Sequence, residues 1–236
     1  MPSRARPTAG ASARSVARSS DEDAALVCGL GRFGSATAVA MTRLGRHILA
    51  IDRDPRIVQD FAGRLTRVVE ADTTNAEALT QLGCGDFPVA IVGIGTSIES
   101  SVLTCSNLVE LGIGQIWAKA ITPAHGTILE RIGVHKVIYP ESDAGVRVAH
   151  LISGALQEFI EFDDGFAIVK MRPPAETQGF TLAESNVRKK YGVTVVGVKS
   201  PGQDFTYARP ETRVSSHDTL IVSGQTKLIE RFAARP

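Results

Sequence analysis

Apolar and polar residues follow one another along this chain in a pattern that predicts strands alternating with helices. From residue 24 onward, short apolar runs end at glycine or at a polar turn, and stretches with apolar residues at helical spacing lie between them. The predicted strands are 24–28, 47–51, 66–69, 89–92, 115–120 and 136–139, and the predicted helices are 35–44, 55–61, 75–82, 100–111 and 123–132. Parallel strands need such helical crossovers, so the pattern predicts an α/β fold, a doubly wound parallel-sheet Rossmann-like domain.

The pattern changes in the last third of the chain. A helix is predicted over 143–156, and it is followed by strands over 166–171, 193–199 and 219–222 and by helices over 182–191 and 227–232. After residue 157 the strands outnumber the helices and lie closer together, which is typical of a small α+β domain. We therefore divide the chain into a tail (1–22), a nucleotide-binding domain (23–157) and a C-terminal domain (158–236).

The first 22 residues differ from the rest in composition. Residues 1–20 are rich in Ala, Ser and Arg, contain no acid and include one large aliphatic residue, Val16. Such a segment cannot bury enough apolar surface to offset the entropy of ordering it, so we expect a disordered tail. A transit peptide has a similar composition, but the absence of an amphipathic stripe favours the tail.

The composition of the whole chain excludes several classes of function. Hydrophobic residues make up 43% of it, as in a globular protein with a core, and the formal charge of +1 gives no field that would attract nucleic acid. No apolar run approaches the roughly 18 residues of a membrane span, so a role at a membrane would be played from the aqueous side. Cys28, Cys84 and Cys105 are too widely spaced for a disulfide framework or a zinc site, and we expect reduced thiols in a cytosol.

A glycine-rich motif follows the first predicted strand. Gly29-Leu30-Gly31-Arg32-Phe33-Gly34 has the G-x-G-x-x-G pattern between a strand and a helix. In dinucleotide folds the first glycine allows a tight turn, the second lets the backbone approach phosphates, and the third allows the helix to pack closely on the strand. The N–H groups at the start of the helix and its dipole attract an anion. We therefore predict that this segment binds the phosphates of an adenine nucleotide.

An acid at the end of the second strand completes the pattern. Asp52 follows Leu49-Ala50-Ile51, about 20 residues after the motif, where a carboxylate accepts hydrogen bonds from ribose hydroxyls. The alternative is that the glycines only close a turn and that Asp52 is a solvated loop acid. Arg53 is a further candidate, because some NADP sites place an arginine there, but Asp52 would repel a 2′-phosphate and a solvent-facing arginine is the simpler interpretation.

Residues for chemistry on a bound cofactor are not evident in the sequence. There is no Tyr-x-x-x-Lys pair, the five histidines are scattered, and no Cys/His cluster has zinc spacing. A nucleotide fold without an acid or base beside it favours sensing over catalysis. The main alternative is an NAD(P)-dependent oxidoreductase that uses residues 160–236 as a substrate lid.

Several further segments carry a resemblance to one family. They are Ile-Trp-Ala-Lys-Ala at 116–120, Ile-Leu-Glu-Arg-Ile-Gly at 128–133 and Tyr-Pro-Glu-Ser-Asp-Ala-Gly at 139–145. Together with the glycine motif they resemble the RCK (KTN) cytosolic regulatory subunits of Ktr/Trk-type bacterial potassium transporters. The resemblance covers nearly everything after residue 24, and the segments 182–199 and 218–224 are similar to the small C-terminal domain of that family.

The resemblance implies a regulatory role without catalysis. Family members form a gating ring, commonly of eight subunits built from dimers, beneath a separate potassium-translocating membrane protein. The ring changes shape when ATP is exchanged for ADP, and NAD(H) binds in some relatives. We therefore expect a cytoplasmic homo-oligomer that is held at the inner face of the cell membrane through its transporter partner.

The resemblance also implies roles for individual residues. Arg32 matches an arginine that is directed at the terminal phosphate, often across a dimer interface. Lys119 matches a basic position near the phosphates, and Ile94-Gly95 matches the segment that covers the nucleoside. Glu141 matches an acid that binds a divalent cation, Mg²⁺ or Ca²⁺, although an acid in a first helical turn is also favoured by the helix dipole.

In two regions the sequence does not determine which ligand binds. The family usually has Gly-Asp-Ala-Thr after the third strand, whereas this chain has Glu-Ala-Asp-Thr at 70–73, which displaces the acid by one position. Asp72 and Thr73 remain candidates near the base, but the side-chain role of Asp72 and the preference for adenine are left open. The C-terminal domain resembles one that binds cyclic di-AMP in some members. Asn186, Arg188 and Pro210 match that region, and the alternative for Arg188 is a solvated helix end.

Overall fold

The structure, a computed structural model, describes residues 23–152 and 156–235. The tail predicted over 1–22 lies outside these residues. Contacts divide the chain into two compact units, of which the first ends at Pro140 and the second begins at Glu141. The domain boundary inferred from the sequence, between 157 and 158, stays a prediction.

The first unit is the predicted doubly wound domain. Six parallel strands lie in the order β3-β2-β1-β4-β5-β6, which is the arrangement of dinucleotide-binding folds. The strands are β1 (Ala24–Cys28), β2 (His47–Asp52), β3 (Arg67–Glu70), β4 (Val89–Val92), β5 (Gln115–Lys119) and β6 (Lys136–Ile138). The helices are α1 (Arg32–Arg43), α2 (Pro55–Phe61), α3 (Ala76–Gln81), α4 (Ile98–Glu110) and α5 (Pro123–Arg131), and a short 3-10 turn covers Cys84–Asp86.

Both faces of this sheet are covered, as a parallel sheet requires. Along β1, Leu26 and Cys28 pack into one apolar cluster with Leu108 of α4, while Ala25 and Val27 pack into a second cluster on the opposite face. The chain thus directs successive side chains of one strand into two cores.

The three cysteines are buried free thiols. Burial raises the pKa of Cys84 to about 11 and that of Cys105 to about 12, and it raises the pKa of Cys28 as well. Thiols with raised pKa values stay protonated at neutral pH and are weak nucleophiles, which fits a packing role.

The second unit is a small α+β domain around an antiparallel sheet, so the fold class expected from the sequence is confirmed for both parts. The strands lie in the order β10-β9-β11-β8-β7. They are β7 (Leu156–Glu161), β8 (Phe166–Met171), β9 (Thr194–Lys199), β10 (Thr206–Tyr207) and β11 (Thr219–Gln225). The helices are α6 (Pro140–Ile152), α7 (Leu182–Ser185), α8 (Val187–Tyr191) and α9 (Thr226–Ala233), with 3-10 turns at Asp163–Gly165 and Ala175–Thr177.

The end of the helix predicted over 143–156 is wrong, because Leu156 begins strand β7. A β-bulge explains why the pattern was deceptive. Leu156 pairs with Met171 and Glu158 pairs with Lys170, so two steps along β7 match one step along β8. The bulge leaves Leu156 and Phe159 both buried although they are three residues apart, and this spacing is typical of a helix.

The helix predicted over 182–191 is interrupted in the structure. Asn186 has a φ of +48°, in the left-handed region, and it separates α7 from α8. Asparagine tolerates this conformation better than most residues, so a single residue turns one predicted helix into two.

No helix in the described parts of the chain has both the length and the apolar character needed to cross a membrane.

Candidate nucleotide site

The glycine motif forms the turn between β1 and α1. Gly29 has a φ of +88°, which favours glycine, and its N–H donates to the carbonyl of Ile51 at 2.8 Å. Gly31 is the N-cap residue of α1, and the helix begins at Arg32. The turn therefore lies at the carboxyl ends of β1 and β2, where the first N–H groups of α1 have no partner within the helix and can bind an anion.

The glycines of this turn differ in their surroundings. A Cβ on Gly34 would collide with the carbonyl oxygen of Gly29, and one on Gly93 would lie 2.9 Å from that oxygen and 3.0 Å from Cα of Gly34. These three glycines allow α1 to pack closely on β1 and β4. In contrast, a Cβ on Gly31 would meet no protein atom within 4 Å. Gly31 faces the open cleft, where the lack of a side chain leaves room for a ligand.

Asp52 holds this turn through its carboxylate. The N–H of Leu30 donates to Oδ2 at 2.6 Å, and the N–H of Asp54 donates to Oδ1 at 2.9 Å. Leu30 itself is 3% exposed, so it contributes its backbone to the site and its side chain to the core. Each carboxylate oxygen has a second lone pair, so Asp52 can hold the turn and accept from ribose hydroxyls together.

The turn after β3 forms the next wall of the cleft. The Oδ1 atom of Asp72 accepts from the N–H of Thr74 at 2.9 Å and from its hydroxyl at 2.8 Å. These hydrogen bonds, with a smaller contribution from the charge of Arg53, lower the pKa of Asp72. The carboxylate is therefore ionised at neutral pH and stabilises its own turn.

The loop after β4 and the first turn of α4 form the opposite wall. Ile94, Gly95, Thr96 and Ser100 line the cleft there. Lys119 at the end of β5 is 9% exposed, and its Nζ lies 3.1 Å from the position that a Cβ on Gly95 would take. The cleft thus has an ammonium group behind its wall on the β5 side.

The structure brings most of the predicted residues into one cleft. Those that line it are Gly29, Gly31, Asp52, Arg53, Asp72, Thr73, Ile94 and Gly95. Arg32 is exposed at the first position of α1, whereas half-buried Phe33 packs against the second apolar cluster. Glu141 is exposed in the first turn of α6 and belongs to the other unit.

Some residues that line the cleft were not among the predicted ones. They include Ile57, Gly93, Thr96 and Ser100. Ligands of open α/β sheets bind where the strand order reverses, here between β1 and β4. From the sequence, further residues of the loop after β4 could therefore have been placed in the cleft beside Ile94 and Gly95.

A metal site within one chain is not evident. Among residues 23–152 and 156–235, no group of three or more His, Cys, Asp or Glu side chains is arranged to hold an ion. The metal role of Glu141 stays a prediction.

The second unit has a cleft of its own. Asn186, Arg188 and Pro210, which were singled out in the sequence, all line it, together with Arg209 and Thr194. Two guanidinium groups beside an amide and a hydroxyl can bind an anionic ligand.

A buried histidine lies at the start of α5. His125 is 1% exposed, its Nδ1 accepts from the N–H of Ile121 at 3.4 Å, and its buried Nε2 has no hydrogen-bond partner. Burial lowers the pKa of His125, so the neutral ring is the folded form. We expect stability to be fully present above the ordinary histidine pKa and to fall as the pH drops below it, because the unfolded chain then binds the extra proton.

Thermal unfolding between pH 7.5 and pH 5 tests this expectation. The melting temperature of the wild type should fall more steeply with acid than that of His125→Gln, which cannot take up the proton. Parallel curves would show that His125 does not contribute to the acid sensitivity.

Comparisons with known proteins agree with this geometry. The TrkA-N domain family matches residues 25–140, and the TrkA-C domain family matches residues 167–235. The Ktr system potassium uptake protein A of Bacillus subtilis (strain 168) is 35% identical over 207 residues, which is 87% of this chain and 93% of that protein.

Two solved structures share the fold. The GsuK RCK domain has a TM-score of 0.61 and 20% identity, over 89% of this chain and 47% of that one. The GsuK channel bound to NAD has a TM-score of 0.61 and 18% identity, over 89% of this chain and 39% of that one. The resemblance found in the sequence is confirmed: the chain belongs to the family of the Ktr system potassium uptake protein A, with a TrkA-N and a TrkA-C domain.

Proposed function

We propose that this chain is the nucleotide-sensing regulatory subunit of a potassium uptake system and switches between ATP-bound and ADP-bound conformations. The observation that carries the proposal is the cleft at the carboxyl ends of β1, β2 and β4. Gly31 opens onto it, and Asp52 is fixed beside the phosphate turn. The similarity to the potassium uptake protein of Bacillus subtilis covers 93% of that protein, which supports a role in the same process for this chain.

The ligand is an adenine nucleotide, with ATP and ADP as the regulatory pair. ATP carries one more phosphate than ADP, and Arg32 at the first position of α1 is a charged partner for it. NAD(H) is the second candidate, because a structure with this fold, the GsuK channel, binds NAD.

A divalent cation, Mg²⁺ or Ca²⁺, accompanies ATP at Glu141. A carboxylate beside a triphosphate is repulsive unless a cation joins them, and such cations take six or more oxygen ligands. Phosphate oxygens, water and a second copy of the chain would supply the oxygens that Glu141 alone does not.

The functional state is a homo-oligomer, in which dimers assemble into a ring of eight. Exposed apolar side chains on α6 support an interface with another chain on this helix. Val146 and Val148 are half exposed, and Ile152 is 78% exposed. The ring acts in the cytoplasm, on the inner face of the cell membrane, by binding a potassium-translocating membrane subunit.

The cleft of the second unit is a candidate site for cyclic di-AMP. Arg188 and Arg209 line it and supply positive charge for two phosphates, and Asn186 adds an amide. Its occupation would add a second signal to the nucleotide switch.

The alternative function, an NAD(P)-dependent oxidoreductase, has less support. A relative that matches 87% of this chain is named as a potassium uptake protein. Hydride transfer also requires a positioned acid or base, and Asp52 and Asp72 are both engaged in backbone hydrogen bonds.

Substitutions of Arg32 and Glu141 test the proposed switch between ATP and ADP. Arg32→Ala should lower the affinity for ATP at least about tenfold more than the affinity for ADP. The reason is that a charge-assisted hydrogen bond of about 1.5–3 kcal/mol, which only the terminal phosphate accepts, is lost. Glu141→Gln should abolish the extra stabilisation that Mg²⁺ or Ca²⁺ gives the ATP complex. Both effects are measured as thermal shifts, since binding stabilises the fold by RT ln(1 + [L]/Kd).

Two residues of the same helices serve as matched controls. Arg43 lies in the last turn of the same helix as Arg32, and Asp143 lies in the same helical turn as Glu141. Arg43→Ala and Asp143→Asn should behave as the wild type. If Arg32→Ala lowers the affinities for ATP and ADP equally, Arg32 is not part of the switch. If Glu141→Gln leaves the stabilisation by Mg²⁺ or Ca²⁺ unchanged, Glu141 is not part of it.

A further inference from the structure

One face of helix α4 is polar where a helix on a parallel sheet usually buries apolar side chains. Ser101 and Thr104 are fully buried, and Asn107 is half-buried. Their spacing of three residues places them on one face of the helix. Burying hydroxyl and amide groups costs free energy unless they form hydrogen bonds. Thr104 and Asn107 form such bonds, whereas the buried hydroxyl of Ser101 has no hydrogen-bond partner among the residues that the structure describes.

The stripe holds the turn after β3 from behind. The hydroxyls of Thr104 and Thr73 form a buried hydrogen bond of 2.8 Å. The Nδ2 atom of Asn107 donates to the carbonyl oxygen of Thr73 at 3.3 Å and to that of Thr74 at 3.0 Å. Two hydrogen bonds from α4 to the backbone and one to a side chain therefore hold a two-residue segment that lines the cleft.

The position of this turn along the sheet indicates what it contacts. The phosphate turn follows β1, the ribose acid Asp52 follows β2, and β3 is the next strand outward. The N–H of Ala71 donates to the carbonyl oxygen of Asp52 at 3.1 Å, which links the turn to the ribose position. A nucleotide with its phosphates at Gly31 and its ribose at Asp52 thus extends its base toward residues 71–74.

We propose that Asn107 and Thr104 are positioning residues that determine which base the cleft accepts. Asn107 holds the carbonyl groups of Thr73 and Thr74 against α4, and Thr104 holds the side chain of Thr73, so together they fix the donors and acceptors that the turn presents to the base. Adenine offers an amino donor where guanine offers a carbonyl acceptor, so a fixed wall distinguishes them and a loose wall does not. This inference rests on the proposed function, because it requires a nucleotide in the cleft.

Two substitutions in the full-length chain test the proposal. Asn107→Leu replaces the amide by an apolar group of similar size, and Thr104→Val removes the hydroxyl and keeps the shape. Each should lower ATP affinity by about five- to tenfold, as expected for one or two hydrogen bonds, and change GTP affinity little. The ratio of ATP to GTP affinity, measured by calorimetric titration, should therefore fall.

Inorganic tripolyphosphate and Ser106→Ala are the controls. Tripolyphosphate occupies only the phosphate turn, so its affinity should not change in either variant. Ser106 precedes Asn107 on α4 and takes part in none of the three hydrogen bonds, so Ser106→Ala should keep the wild-type ratio. Thermal unfolding of each variant shows whether it is folded, and if Asn107→Leu does not fold, Thr104→Val carries the test.

The outcomes separate this inference from the proposed function. A wild type that binds neither ATP nor GTP contradicts the proposed function. A wild type that prefers ATP, together with variants that keep the same ratio, contradicts the inference alone. An equal loss of affinity for ATP, GTP and tripolyphosphate in the variants also contradicts the inference, because Asn107 and Thr104 would then support the cleft as a whole.

Discussion

Gly31→Ala is expected to reduce nucleotide affinity at least about tenfold while the chain still folds. A Cβ at this position meets no protein atom within 4 Å and projects into the space through which phosphates approach the backbone. The φ of Gly31 is −59°, which alanine adopts without strain. Loss of glycine at the N-cap should cost about 1 kcal/mol or less of unfolding free energy. Calorimetric titration with ATP and ADP, together with thermal unfolding, measures both quantities.

Gly34→Ala is the matched control, because it adds the same methyl group three residues later. Its Cβ would collide with the carbonyl oxygen of Gly29 inside the contact between α1 and β1. We therefore expect Gly34→Ala to lower the free energy of unfolding by about 1–3 kcal/mol or more. If Gly31→Ala binds nucleotide as tightly as the wild type, the phosphates do not approach this turn and the assignment of the cleft is wrong.

The first unit was predictable because its signals are local. The central strands β1, β2 and β4 of the parallel sheet are buried apolar runs. A capped helix follows most strands of the sheet, for example Asn75 before α3 and Thr122 before α5. The second unit was less predictable because single residues alter the pattern there. The bulge at Leu156 and the left-handed conformation of Asn186 each interrupt a periodicity that the sequence otherwise carries.

The residues of the candidate site also differ in how well the sequence predicts them. Gly29 to Gly34 and Asp52 stand at fixed spacings, so the sequence predicted them together, and the structure places Asp52 on the backbone of Leu30. The contribution of Asn107 was not predictable, because it reaches a turn 33 residues earlier in the chain. Such a contact depends on how α4 packs on the sheet, which no local motif encodes.

Substitution of Asp52 should show the largest effect on binding, because the structure gives its carboxylate a second role beside the ribose. Its carboxylate accepts from the N–H groups of Leu30 and Asp54, so Asp52→Ala removes support from the phosphate turn as well as the ribose acceptor. Loss of these charge-assisted bonds, at about 1.5–3 kcal/mol each, should weaken ATP and ADP well over tenfold and also destabilise the fold. Affinity alone would therefore not separate the two roles.

Asp52→Asn and a ribose-modified ligand separate them. Asparagine keeps one side-chain oxygen as an acceptor for the N–H of Leu30 but loses the charge and the second acceptor. The wild type should bind ATP at least about tenfold more tightly than 2′,3′-dideoxy-ATP, because only ATP offers hydroxyl donors to the carboxylate. In Asp52→Asn this preference should largely disappear, while the melting temperature stays closer to that of the wild type than in Asp52→Ala. Equal binding of the two ligands by the wild type would show that Asp52 stabilises the turn and does not contact the ribose.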